Sequence, residues 1–329
     1  MTLFRAPARL HVGLLNESGT WGRIDGSIGF AIADPHWIIE VALDDVPMVF
    51  AEAELSRELA AAALALLTKI YAETHVALSI NVLKSVPAHA GFGSKTSLLM
   101  LLASAAQRLG ALPSMDAIGM GAYIGRGGTS GVGVHASQLG GVTLDLGRNF
   151  PGDKRAFGPS STSHSHPPRL ARWLPASQLP VVHLRFAESG PAGQEEVDVF
   201  RRACPVPVSD TVKIDRLVRT EFVRGLADAD EIRINSALGQ LQRLGVKREE
   251  WNSQAEVTKE FSRYMKARIP DLAICLSSMG PTLFTISNRI AEVMLAVEEF
   301  EVNPHHLTQT HMATHGVLER AANSVRTSS

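Results

Sequence analysis

Strands and helices interleave along this chain without a regular strand–helix–strand period, which predicts an α+β fold rather than a doubly wound sheet. Leu78, Ile80 and Val82 alternate with Ser79 and Asn81, the two-residue period of a half-buried strand. Shortly afterwards Leu98, Leu101, Leu102, Ala105, Ala106 and Leu109 recur at spacings of three and four, one face of a helix. At 329 residues, and with about 100–200 residues per domain, the chain is expected to form two domains that each bury a core.

The elements follow in order. Phe4 to Leu15, Ser27 to Ile32 and Trp37 to Ala42 read as strands, the last carrying Ile38, Ile39 and Val41. Leu59, Ala62, Ala63, Leu66, Leu67 and Ile70 form a helical stripe. A second glycine-rich segment, Gly125 to Gly141, precedes a strand over Val142 to Leu146. The run F-G-P-S-S-T-S-H-S-H-P-P-R-L from Phe157 to Leu170 cannot build a core, so the domains are placed at 1–160 and 161–329. Its His164 and His166 are read as solvated loop residues rather than metal ligands. The second half opens with a strand, Val181 to Phe186, and continues through helices at Asp215 to Gly225, Ala227 to Leu244 and Ala255 to Ala267. A short apolar run (Leu272 to Leu276), a turn at Ser277-Ser278-Met279-Gly280-Pro281, a strand (Leu283 to Ile286), a helix (Ile290 to Val297) and a last strand (Leu307 to Met312) complete it.

Composition narrows the function. The formal charge of −1 gives no reason to expect nucleic acid or a membrane surface as partner. The longest apolar run, Ala60 to Leu67, is far short of the roughly 20 residues a membrane span needs, and the N-terminus has no apolar leader. Two distant cysteines, Cys204 and Cys275, suit a reducing cytoplasm and form no disulfide framework. A cytoplasmic protein acting on small molecules is the expectation.

The most informative stretch is Val86 to Leu98, V-P-A-H-A-G-F-G-S-K-T-S-L, between that alternating strand and that apolar helix. Gly91 and Gly93 allow a tight turn, and Ser94, Thr96 and Ser97 place hydroxyls where the first helical amides have no partner. Such amides, backed by the positive helix end, form an anion site, to which Lys95 adds a full charge. The alternative is a glycine turn with an ordinary serine cap. A Walker A pattern is absent.

The opening Arg5-Ala-Pro-Ala-Arg9, the Gly91 to Ser97 loop and Ser277-Ser278-Met279-Gly280-Pro281-Thr282, in this order, resemble the GHMP superfamily of small-molecule kinases and their relatives. One branch is matched more closely, the β-ribofuranosylaminobenzene 5′-phosphate synthases and the related C-nucleoside synthases of formycin- and pyrazofurin-type antibiotic biosynthesis. Its R-x-P-x-R-L-H-x-G-L opening appears at Arg5 to Leu14, and its G-R-x-x-G-x-G-x-A-I run is approximated at Gly22 to Ile32. Its G-R-G-x-x-S-G-[IV]-G appears at Gly125 to Gly133, and its S-S-x-G-P-T at Ser277 to Thr282. The resemblance implies a GHMP-kinase fold: an N-terminal domain like ribosomal protein S5 domain 2, a ferredoxin-like C-terminal domain, and the site in the cleft between them. It implies a reaction too. Phosphoribosyl pyrophosphate is joined through C1 to a ring carbon of an aromatic carboxylic acid, with loss of pyrophosphate and carbon dioxide, usually with Mg²⁺ and in a homodimer.

The residues bear on this reading. GHMP kinases commonly carry an acid just after Ser-Gly in the second glycine-rich motif, often as Ser-Gly-Ile-Asp, whereas Val132-Gly133-Val134-His135 follows Ser130-Gly131 here, which argues against phosphoryl transfer from ATP, the rival reading. Ser94-Lys95-Thr96 stands where the ribosyl-transferring branch typically has Ser-Gly-Thr. Gly91, Gly93, Ser94, Lys95, Thr96 and Ser97 are the expected pyrophosphate contacts, and Arg126, Ser130, Gly131 and Gly133 a second cradle, with a solvated loop tip the alternative for Arg126. Arg5, Arg9 and Arg23 are the candidate forks for the acceptor carboxylate. His11 shares a strand face with Arg9 and is either a site residue or a packed core histidine. His89 is assigned to phosphate or a proton, and Asp25 to ribose hydroxyls or Mg²⁺, unless it only forms its turn. Ser277, Ser278 and Gly280 are expected to close the cleft from the second domain. Glu195, Glu196 and Asp198 read as a solvated segment start.

Overall fold

The computed structural model describes residues 1–321 apart from His164 and Glu188. The chain begins with β1 (Thr2–Leu14), β2 (Arg23–Ile24), β3 (Ser27–Asp44), β4 (Met48–Ala51), α1 (Arg57–Thr74), β5 (Ala77–Lys84) and α2 (Ser94–Arg108). It continues through α3 (Ala117–Tyr123), α4 (Val132–Leu139), β6 (Val142–Asp145), β7 (Arg148–Asn149), β8 (Leu170–Leu174) and β9 (Val181–Arg185). The helices α5 (Gln194–Ala203), α6 (Val208–Arg216), α7 (Val223–Asp228), α8 (Glu231–Leu241), α9 (Gly245–Asn252) and α10 (Glu256–Arg268) follow, with a π turn, Leu217–Phe222, joining α6 to α7. The chain then forms β10 (Cys275–Leu276), β11 (Leu283–Ile286), α11 (Ile290–Glu298), β12 (His306–Thr310) and β13 (Leu318–Ala321).

The first sheet runs β13-β1-β3-β5-β4, with β6 on the leading half of β3 and β8 beyond it. β3 joins the two strands expected at Ser27 to Ile32 and Trp37 to Ala42. The register against β1 jumps from His36 opposite Pro7 to Ile32 opposite Ala8, so the strand bulges at Ala33, Asp34 and Pro35. Proline has no amide hydrogen to give a ladder, and a bulge is where a sheet tolerates it. On β1, Phe4, Ala6, Ala8, Leu10 and Val12 enter the core beneath α1 and α2, which leaves Arg5, Arg9 and His11 on the opposite face.

The second sheet is antiparallel, in the order β10-β11-β9-β12. Read along the chain it is a split β-α-β-β-α-β unit, ferredoxin-like, in which α5 to α10 occupy the first crossover. Phe284 of β11 meets Phe30 of β3 edge to face at 5.6 Å, so the main core is continuous between the sheets. A smaller core of Val182, Leu184, Phe261, Met265 and Val293 fills the other side of the second sheet.

The expected boundary at 160/161 falls in the loop before β8, yet β8 still pairs with β6 of the first sheet. The chain changes sheets between Leu174 and Val181, and β13 returns to pair with β1. Two further differences concern helices. The glycine-rich segment at Gly125 to Gly141 contains α4, because Val132 and Ala136 bury one face, Val134 another, and Gly133 sits where a Cβ would be 3.2 Å from Thr96. The helix expected over Ala227 to Leu244 starts only at Glu231, where the Asp230 side chain caps the Arg233 amide at 3.0 Å. No helix among the described residues is long and apolar enough to cross a membrane.

Candidate functional site

Where the sheets meet, the loop from β5 to α2 is held from both sides. Gly91 (φ 84°) and Gly93 (φ 69°) take the left-handed conformation that glycine tolerates, and α2 starts without a side-chain cap. Its first backbone bond runs from the Ser97 amide to the Gly93 carbonyl, 3.0 Å, so the amides before it point out of the helix. From β1, the Arg9 amide donates to the Phe92 carbonyl (3.1 Å) and its guanidinium to the Gly91 carbonyl. From the second sheet, Ser277 Oγ donates to the Gly91 carbonyl (2.8 Å) and Thr282 Oγ1 to the Ala90 carbonyl (2.6 Å). The His11 amide donates to Ser277 Oγ at 3.0 Å and the Ser278 amide to the His11 carbonyl at 3.3 Å. Ser277, Ser278 and the loop at Gly280 therefore clasp the glycine loop, and Ser277 is fully buried in doing so. A Cβ at Gly280 would strike the Gln254 carboxamide, so this glycine serves close packing.

Positive charge gathers at the α2 terminus. Arg126 Nε donates to Thr96 Oγ1 at 3.0 Å, and burial lowers its pKa. Arg9 is lowered to about 10 by burial and then by Arg126, and its Nε is buried without a partner. Lys95 Nζ lies 3.0 Å and His89 Nε2 2.6 Å from the two carboxylate oxygens of Glu58, in the first turn of α1. The hydrogen bond from Lys95, with that of His89, holds the Glu58 carboxyl below its usual range. His11 is enclosed, with Nδ1 unpartnered; burial, then the charges of Arg9 and Lys247, keep its ring neutral. Lys247 itself is buried, donating to the Leu276 and Ser278 carbonyls at 2.9 and 3.3 Å and pairing with Glu250.

A second network lies under the Gly125 to Gly133 loop. Arg148 Nη1 donates to Asp25 Oδ2 (2.8 Å) and to the Thr129 carbonyl, and Nη2 to the Gly127 and His166 carbonyls. Lys154 Nζ reaches both Asp25 oxygens, at 3.1 and 3.0 Å. Glu17 Oε1 accepts the Asp25 amide at 2.8 Å, while Oε2 is buried without a partner. Burial, then the Asp25 charge, raises Glu17 to about 8. Nearby, Asp145 is raised to about 7 by burial against the hydrogen bonds it receives from Ser27, Gly147 and Gly131.

Several expected site residues have other tasks here. Arg23 is spent on the Leu146 and Gly147 carbonyls and Asn149 Oδ1. Arg5 reaches the Ala33 carbonyl at the β3 bulge, away from the glycine loop. Asp25 is enclosed by Arg148 and Lys154, with no face left for ribose or a cation. Ser97 turns inward, accepting Trp37 Nε1 at 2.9 Å. The Gly131 amide is taken by Asp145 at 2.9 Å, and Gly133 packs on Thr96, so these two glycines leave the second cradle. Arg9, Ser94, Lys95, Thr96, Arg126, His89 and His11 do converge on the clasped loop. Of the two loop histidines, His166 is exposed and lends its carbonyl to Arg148, and His164 lies outside the described residues.

Glu58, Arg148, Lys154, Glu17 and Asp145 escaped the sequence reading. Each meets its partner only through tertiary folding, as with Glu58 and Lys95 on different helices. The one local signal was Asp145, an acid ending a fully buried strand beside Gly147. A cavity of about 620 Å³ lies away from the loop, between α8, α9 and α10 and against Leu272 to Ile274.

No family model matches the chain. Among curated proteins, a β-ribofuranosylphenol 5′-phosphate synthase from Archaeoglobus fulgidus is 32% identical over 293 residues, covering 88% of each chain. One from Methanocaldococcus jannaschii is 27% identical over 310 residues, 91% of this chain and 93% of the relative. Among solved structures, Streptococcus pneumoniae phosphomevalonate kinase superposes with a TM-score of 0.67 at 11% identity, covering 94% of this chain and 99% of that one. A homoserine kinase from Cytophaga hutchinsonii gives 0.65 at 16% identity, with 97% of each chain covered. The superpositions over nearly the whole of both chains give this protein the GHMP-kinase fold. At 32% identity over 88% of its length, the chain belongs to the β-ribofuranosylphenol 5′-phosphate synthase family on that fold.

Proposed function

We propose that this protein joins C1 of phosphoribosyl pyrophosphate to a ring carbon of an aromatic or heteroaromatic carboxylic acid, releasing pyrophosphate and carbon dioxide. The observation that carries the reading is the uncapped start of α2 ringed by Lys95, Arg126 and Arg9, a site for a polyanion. The ring carbon bearing the carboxylate supplies the electron pair for the new bond to C1. The C1–oxygen bond breaks with its pair leaving on pyrophosphate. The carbon–carboxylate bond then gives its pair back to the ring as carbon dioxide departs. No proton leaves the ring carbon, so no base is needed there; the work is to orient the ring and stabilise pyrophosphate. His89, bound to Glu58, then serves to set that carboxylate beside Lys95.

Such a ring needs an electron-donating substituent. The relatives' name carries a phenol, and the motif resemblance an aminobenzene; a pyrazole of the C-nucleoside type is the narrower alternative. Val132-Gly133 follows Ser130-Gly131 where the kinase pattern carries its acid, so neither residue offers a carboxylate to activate a hydroxyl toward ATP.

Mg²⁺ belongs to the proposal only as the counter-ion of pyrophosphate, since it binds through few carboxylates and substrate phosphates. Among the described residues no group of three His, Cys, Asp or Glu is placed to hold a metal. Asp25 is closed off and Glu58 is engaged, so the residues present do not fit a resident ion, and no step runs through one. A homodimer is part of the same reading: Leu43, Val46 and Phe50 are exposed beside the edge strand β4, and light scattering would check it. The reaction is tested by supplying phosphoribosyl pyrophosphate, Mg²⁺ and a panel of hydroxybenzoate, aminobenzoate and pyrazole carboxylates. Stoichiometric pyrophosphate and carbon dioxide support it; turnover of ATP without either would overturn it.

A further inference from the structure

Ser130 lies in the second glycine-rich loop, two residues before α4, and is half-buried. Its Oγ lies 2.7 Å from Ser27 Oγ, and either atom could donate across that distance taken alone. The surroundings decide the direction. Ser27 Oγ also makes a short contact to Asp145 Oδ2, which the Gly131 amide reaches at 2.9 Å. Asp145 Oδ1 receives the amides of Ser27 (3.2 Å) and Gly147 (2.9 Å). Backbone amides only donate, so every direction around the Asp145 carboxylate is met by a donor, and a carboxyl proton would have to displace one. Ser27 therefore spends its single proton on Asp145. Its oxygen must then accept, and the only proton available at 2.7 Å is that of Ser130.

With its proton committed inward, Ser130 presents lone pairs. One accepts the Val132 amide at 3.2 Å, which leaves one for a further donor on this half-buried residue of the loop that carries Arg126. An oxygen in that state repels phosphate, contrary to the cradle role expected for it, and welcomes O–H or N–H.

We propose that Ser130 is a specificity-determining acceptor for an O–H or N–H donor of the bound substrate, and that Asp145, through Ser27, is the positioning residue that fixes its polarity. This rests on the proposed reaction for its substrates. Those offer two sources of the donor, the electron-donating ring substituent and a ribose hydroxyl.

The experiment measures binding by calorimetry, independently of turnover, at about pH 8.5, where Asp145, raised to about 7 by burial, is ionised. One arm compares 4-hydroxybenzoate with 4-methoxybenzoate; the other compares ribose 5-phosphate with 2-deoxyribose 5-phosphate. The wild type is expected to favour the donor-bearing ligand of one pair by about 10–100-fold, the cost of leaving a site acceptor unmet. The Ser130→Ala variant should bring that ratio close to one, and Ser130→Thr should restore it. Ser27→Ala, which frees the Ser130 proton to point outward, should lower the ratio by raising affinity for the donor-free ligand. A merely structural defect would weaken both ligands alike and leave the ratio standing. A ratio unchanged in Ser130→Ala, or no preference in either wild-type pair, overturns the assignment. Absence of pyrophosphate and carbon dioxide in the turnover assay, with the ratio intact, would overturn the proposed reaction instead.

Discussion

Replacing Glu17 by Gln should flatten the pH dependence of stability, and the magnitude follows from the site. Glu17 is 2% exposed and Asp25 is 0% exposed, so water does not screen their repulsion. Burial, then Asp25, raises the Glu17 carboxyl from 4.5 to about 8. The folded chain thus holds the proton more tightly than the unfolded one. The stability this gives is fully present below pH 4.5 and is lost as pH rises through about 8. At about 1.4 kcal/mol per pH unit the interval is worth up to roughly 5 kcal/mol, and sharing the charge with Asp25 reduces it to about 2–4. Glutamine keeps Oε1 for the Asp25 amide and loses the charge. Urea melts at about pH 5 and about pH 8.5 should show the parent weakening by that amount relative to Glu17→Gln. Asp145 also sits high, but it is present in both proteins and cancels in the difference. Parallel losses in parent and variant would refute the argument.

Further outcomes follow from the clasped loop. Gly91→Ala sets a Cβ 2.6 Å from the Ser277 carbonyl at φ 84° and should cost about 2–3 kcal/mol in denaturant melts while abolishing turnover. Lys95→Ala should weaken inorganic pyrophosphate about tenfold by calorimetry, the difference shrinking with added salt. Ser97→Ala leaves Trp37 Nε1 without its partner and should lower stability by about 1–3 kcal/mol with pyrophosphate affinity unchanged, whereas a phosphate ligand at Ser97 would show the reverse.

What could be read from the sequence was whatever local chemistry determines. The strand–glycine–helix junction was legible because periodicity, glycines and hydroxyls all lie within Leu78 to Leu109. The α+β class and the order of strands in the second half came from the same kind of signal. Partners distant in sequence were not legible. Arg23 looked like a free fork until β2 met β7 and handed it the Leu146 carbonyl. Asp25 and Ser97 carry the side chains that substrate sites favour, yet burial turns both into supports. α4 was hidden because Gly133, which read as loop, is what lets it approach α2.

The return of β13 bears on how this molecule is made. Thr2 pairs with Ala321 and Arg5 with Leu318, so one flank of β1 is covered by nearly the last described residues. During synthesis that flank stays an open edge until residue 321 has left the ribosome, a vulnerable interval for misassociation between nascent chains. Removing residues 318–321 should therefore harm the opening strand that holds Arg9, although the two lie at opposite ends of the chain.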